Sequence, residues 1–250
     1  KWLCDAGNAD DPTPIGVVKL GILFRSANQH RAIVNLLSTN HVEDALILTR
    51  ALFELTLHTE ELVRDSSALH DRALRYLRFC RLQIYLESRQ IYVLRRASGL
   101  PVSGPLHDVA EVDRRAKEEF AAFAFTDRKG RHRWFANWCN KTVAALAEQS
   151  SNPMRTAQYR VLYAKGSQIV HAGPSSVFPA IYPDGVPPDI ATAVGHQRDV
   201  EEEHLRLAAS FSSVFLDEIF GMLFDRLPTF SPSWLPEVVA KYCEEIMAGR

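Results

Sequence analysis

Cysteine is scarce in this 250-residue sequence: Cys4, Cys80, Cys139 and Cys243 are far apart and form no C-x-x-C pair. That spacing argues against a secreted disulfide scaffold or a structural zinc knuckle, and a reduced protein in the cytoplasm is expected. Long hydrophobic runs are missing too. The longest nearly apolar stretch, residues 15–24, is broken by Lys19 and is far too short to span a bilayer, so no membrane partner is expected. Residues 1–14 hold no apolar run of signal-peptide length. Neither charge sign dominates: 29 Lys+Arg against 30 Asp+Glu give a net charge of −1. Any contact with nucleic acid must therefore come from local clustering of basic residues. The glycine fingerprints of nucleotide sites, the P-loop and G-x-G-x-x-G, are absent, and no cofactor is expected.

Proline is absent from Ile15 to Leu100, a stretch rich in Leu, Ala, Arg and Glu, all helix formers. No segment sustains two-residue alternation, so the expected fold class is all-α, a helical bundle with short connections. Helices are predicted near 15–37, 42–66, 70–98, 107–125, 133–150, 154–171, 199–227 and 233–247. Asn40, Asp199 and the Ser151-Asn152-Pro153 run read as N-terminal signals for the second, seventh and sixth of these. Residues 172–198 carry five prolines and three glycines and are predicted to be an irregular loop. The expected organisation is an irregular segment over 1–14, one bundle over 15–227, and a C-terminal helix within 228–250 docking on the bundle or on a partner.

Two helices depart from a plain amphipathic pattern. On the second, apolar residues flank a narrow polar stripe of Arg50, Glu54 and His58, continued by Glu61 and Asp65, with Thr49, Thr56 and Glu60 opposite. Arg50 and Glu54 are four apart and can meet. A helix apolar on two flanks tends to be central in a bundle, which favours an inward-facing stripe over a solvated one. On the sixth, Tyr163, Ser167 and His171 recur at four-residue steps and share one face. Glu54, His58 and His171, and the group His196, Asp199, Glu203 and His204, lack the paired Glu-x-x-His of a di-iron bundle, and no metal is expected.

Basic residues cluster in two places. The helix over 70–98 has seven arginines against Asp71 and Glu87, a local net of +5. Arg75, Arg78, Arg89 and Arg96 fall on one side of it, interleaved with Tyr76, Phe79, Tyr85 and Tyr92. The turn from Thr126 to Arg133 adds Arg128, Lys129, Arg131 and Arg133 against Asp127. Such cations can follow phosphates, or they can neutralise Glu111, Asp113, Glu118 and Glu119 as salt bridges.

The run Arg50-Ala-Leu-Phe-Glu54 is R-x-x-x-E, and Tyr163-Ala-Lys-Gly-Ser167-Gln-Ile-Val-His171 is Y-x-x-x-S-x-x-V-H. This ordered pair, about 110 to 120 residues apart with Trp138 between, resembles the bacterial domain-of-unknown-function family 5677 over residues 15 to 225. That family is in turn similar to the HEPN helical bundles, some of them metal-independent ribonucleases. The resemblance implies an HEPN-like bundle, a homodimer with a site near its twofold axis, and engagement of RNA or another phosphate-rich ligand. It also implies an endoribonuclease-like role in stress or phage defence. HEPN nucleases carry R-x(4–6)-H; here Lys165 stands at the matching distance before His171, a point charge without the guanidinium fork. In this reading His171 is the acid–base group and Arg50 and Lys165 hold the phosphate. Glu54 and Tyr163 position His171, and Ser167 lies on the same face. The alternative is a non-enzymatic scaffold in which the same residues tie two core helices together.

Overall fold

A computed structural model describes residues 13–101, 109–170 and 188–224. The described residues are mostly helical, with a single two-stranded sheet, and the chain is all-α in class. The elements are α1 (Pro14–Ser38), α2 (Val42–Val63), α3 (Leu69–Ala97), α4 (Val109–Glu119), a 3-10 turn (Ala121–Phe123), β1 (Ala124–Thr126), β2 (His132–Trp134), α5 (Val143–Glu148), α6 (Arg155–Val170) and α7 (Pro188–Phe224). The described residues fall into two compact units. One holds Asp65–Thr142 with the first turn of α1, the other Lys19–Arg64 and the described residues from Val143 onward.

In the second unit α2 is the central helix and packs against α5, α6 and α7. Between Ala45 and Val63 none of its residues is exposed. Thr49, Thr56 and Thr59 are fully buried on this helix, each hydroxyl donating to the carbonyl four residues earlier at 2.8–3.0 Å. That internal bond removes most of the cost of burying a hydroxyl and lets a threonine face pack like an apolar one. Phe53, with no exposed surface, meets Phe215 of α7 with ring centroids 5.3 Å apart. Ile22 and Ile33 of α1, Leu146 of α5 and Leu162 of α6 complete this core.

Asn40 ends α1 rather than starting α2. Its φ is 61°, and its N–H reaches the Leu37 carbonyl while His41 N–H reaches that of Leu36 at 2.8 Å. This pair of bonds is a Schellman motif, and asparagine tolerates its left-handed position well. Asp199 lies inside α7, which begins eleven residues before it, at Pro188. The last part of the predicted irregular stretch 172–198 is therefore helical from Pro188, because proline fits the first helical position, where its missing N–H has no partner to lose. Asn152 fulfils its role at the start of α6, its Oδ1 accepting the Met154 N–H at 3.0 Å.

The first unit has its own aromatic core. Phe79 of α3 stacks edge-on against Phe123 at 5.4 Å, and Tyr76 against Trp138 at 5.8 Å. Where helices are predicted to run through 125 and from 133, the chain instead makes a hairpin with Phe125 opposite Arg133. Asp127 breaks the helix: its Oδ1 accepts the N–H groups of Lys129 and Arg131, and Gly130 takes φ +74°. Three-residue strands are too short to show the alternation by which strands are read. The N-terminal segment before residue 13, the loop over 172–187 and the predicted helix over 233–247 lie outside the described residues.

Candidate functional site

The polar stripe of α2 is half-buried, and at Arg50 and Glu54 it is met by α6. Arg50 Nε stands 3.4 Å from Glu54 Oε1, one helical turn apart. The Arg50 guanidinium lies over the Tyr163 ring, its central carbon 3.8 Å from the ring centroid. The Tyr163 hydroxyl closes the triangle by donating to Glu54. Burial, then the hydrogen bond to Glu54, pushes the Tyr163 phenol well above its ordinary range, so it stays a donor at any physiological pH.

Gly166 makes this approach possible. A Cβ there would stand 3.1 Å from Arg50 Cδ, forcing the arginine aside by a few tenths of an ångström. Further along the stripe, burial lowers the His58 pKa, partly opposed by Glu54 and reinforced by Arg25, so the imidazole is held neutral. Glu61 pairs with Arg64 at 2.9 Å, and Asp65 lies past the end of α2, bonded to Ser67. The arrangement presents a guanidinium over an aromatic face. The ion pair to Glu54 is made through Nε, leaving the terminal amino groups out of it, and they can accept a planar or tetrahedral anion. Lys165 and Ser167 sit on α6, but their side chains, and His171 altogether, lie outside the described residues.

The arginine helix divides. Arg75 donates through Nε to the Trp138 carbonyl at 2.8 Å and covers the Phe123 ring. Arg89 forks onto Asp113 at 2.8 and 3.0 Å, and Arg81 pairs with Glu119 at 2.6 Å. Arg81 and Arg89 are ion-paired to α4, whereas Arg75 is tied to a backbone carbonyl and a ring. Arg78 and Arg96 are exposed.

Sequence reasoning missed a second constellation. Arg155, the first residue of α6, is 1% exposed. Its guanidinium donates to Glu60 of α2 at 2.7 and 2.5 Å and to Gln158 at 2.8 Å, and forms an ion pair with Glu218 of α7 at 2.8 Å. Ser150 bonds the other Glu60 oxygen at 2.7 Å, and Asn152 bonds Glu218 at 3.2 Å. A signal was present. A cation in the first turn of a helix opposes the dipole, so Arg155 needs acidic partners, and Glu60 stood alone among threonines on its face. Among the described residues no three His, Cys, Asp or Glu side chains gather as metal ligands do, and no helix is long and apolar enough to cross a membrane.

No curated protein and no solved structure matches the chain. The R-x-x-x-E helix and the Tyr163 helix both fall inside the one region that does match, residues 17–180, and by that match the chain belongs to the family of unknown function DUF5677.

Proposed function

We propose that this protein engages RNA, or another phosphate-bearing ligand, on the α2–α6 face, with Arg50 as the phosphate-holding group. The observation that supports this reading is a partly exposed arginine in a prepared position. Arg50 keeps 26% of its side chain in solvent, yet it is held between the Tyr163 ring and the Glu54 carboxylate. A guanidinium already ordered loses less entropy when it grips an anion.

The competing structural role has a better candidate elsewhere. Arg155, withdrawn from water and shared by α2, α6 and α7, already fixes the register of these helices. The Arg50 group is surplus to that task. In the reading drawn from the motif pair, His171 supplies acid–base chemistry with Lys165 as a second phosphate contact, in the HEPN-like, homodimeric setting the resemblance implies. The test is RNA degradation by the wild type, Arg50→Ala and His171→Ala. Loss of activity in both variants, with the fold retained, is the expected result; three indistinguishable proteins would overturn the catalytic part of the reading.

A further inference from the structure

The β1–β2 hairpin has no part in the α2–α6 face, and its composition is unusual for a connection. Six consecutive residues, Arg128 to Arg133, are exposed, and four of them are Arg128, Lys129, Arg131 and Arg133. Phe125 is 46% exposed and its ring stacks on Phe135 at 5.9 Å and 28°. On the other face His132 stands edge-on to Trp134 at 4.6 Å.

The tip is held rigidly by one carboxylate. Asp127 accepts two backbone N–H groups through Oδ1, while its Oδ2 takes Arg131 at 2.8 Å and Arg133 at 3.2 Å. One negative charge thus orders two guanidinium groups without neutralising both. The side chains of Arg128 and Lys129 pair with nothing among the described residues. A purely structural turn has no use for this surplus of cations, nor for a phenyl ring left half in water.

We infer that this hairpin is a binding surface for single-stranded RNA: Phe125 offers a face on which a base stacks, and Arg128, Lys129, Arg131 and Arg133 take the flanking phosphates. Base stacking on an exposed ring tolerates any sequence, and the cations add an electrostatic term that depends on salt. A folded acidic protein would also meet the charges, but a ring set among phosphate-spaced cations matches the alternation of base and phosphate along a single strand. The choice of RNA as ligand rests on the reading proposed above; the surface itself is independent of the Arg50 site.

The test uses the full chain and a fluorescein-labelled, 2′-O-methylated oligouridine, which resists cleavage, with anisotropy as the readout. Phe125→Ala is expected to weaken binding roughly tenfold. Arg128→Ala with Lys129→Ala should make the log–log salt dependence shallower by about 1.4, at about 0.7 per lost phosphate contact. These positions are exposed, so helical content and melting should match the wild type. If hairpin variants bind like the wild type and Arg50→Ala alone abolishes binding, the inference is overturned and the Arg50 reading stands. If the hairpin variants lose binding and Arg50→Ala keeps it, the inference stands and the Arg50 site is not where RNA is held. If polyglutamate displaces the oligomer and Phe125→Ala has no effect, the surface is a plain cation patch and the inference fails.

Discussion

Replacing Arg155 by methionine isolates what the buried cluster contributes. The side chain is almost fully enclosed, and methionine keeps much of its stem volume while deleting the charge. Glu60 and Glu218 then lose the cation they share, with only 17% and 26% of their side chains in water. Breaking a buried pair by removing one partner costs about 3–5 kcal/mol. The partial exposure of both carboxylates lets water compensate, which places the expected loss near the lower end, about 3 kcal/mol. At about 2–4 °C per kcal/mol for a chain of this size, the melting temperature should fall by about 6–12 °C. Urea unfolding followed by circular dichroism at the helical band measures the free-energy loss, and a thermal melt at the same band the temperature shift. Glu60→Gln alone should cost less, because Arg155 keeps Glu218 at 2.8 Å. Added to Arg155→Met it should cost almost nothing, giving a coupling of about 1–3 kcal/mol between the two sites. An Arg155→Met protein within about 0.5 kcal/mol of wild type would refute the claim that this residue fixes the three helices.

Other perturbations probe separate parts of the argument. Asn40→Ala puts a Cβ-bearing residue without a local polar side chain at φ 61° and should cost about 1 kcal/mol, whereas Asn40→Gly should be neutral or slightly stabilising; thermal melts separate the signs. Phe53→Ala empties a site with no exposed surface and should cost about 3–5 kcal/mol by the same melts. Burial and the bond to Asp113 push the Tyr85 phenol up to about 12, above its ordinary value of 10. The stability this contributes is present below pH 10 and lost as pH rises through 12, and Asp113→Asn should bring the ultraviolet titration of Tyr85 back toward 10. Asp113 itself is held low by Arg89, so its contribution is present above the ordinary carboxylate range and lost as the pH falls through its lowered value; acid unfolding should begin at higher pH in Arg89→Ala.

Much of the helical part was legible in the sequence. The proline-free run with its leucine spacing identified α1, α2 and α3, and the four-residue step from Arg50 to Glu54 predicted a contact that exists. The apolar flanks led to an inward-facing stripe, whereas Arg50, Glu54 and His58 are only half-buried. What a wheel cannot show is that threonines satisfy their own hydroxyls, so the face of α2 with Thr49 and Thr56 packs as core. Arg155 escaped notice because its partners lie 95 and 63 residues away along the chain. The dipole marks Arg155 as a cation in need of acidic partners, but no local pattern says which distant carboxylates they are. The hairpin was hidden by the brevity of its strands, although Asp127 and Gly130 marked the turn. Two arginines of α3 are paired for a reason the sequence did contain: acidic α4 lay next along the chain, ready to take Arg89 of the stripe and Arg81 beside it.

Whether Arg50 holds a phosphate is asked most directly by the dissociation constant of a short RNA for wild type, Arg50→Lys and Arg50→Ala. Hydrogen bonds to a charged group contribute about 1.5–3 kcal/mol, so Arg50→Ala should weaken binding by about 10- to 150-fold. Arg50→Lys should fall in between, since it keeps the charge and loses the fork. Melting temperature should hardly move, because the pair with Glu54 is part-exposed and contributes at most about 1 kcal/mol. Equal affinities for the three proteins would contradict the account, and so would a loss of binding that merely tracks a loss of fold.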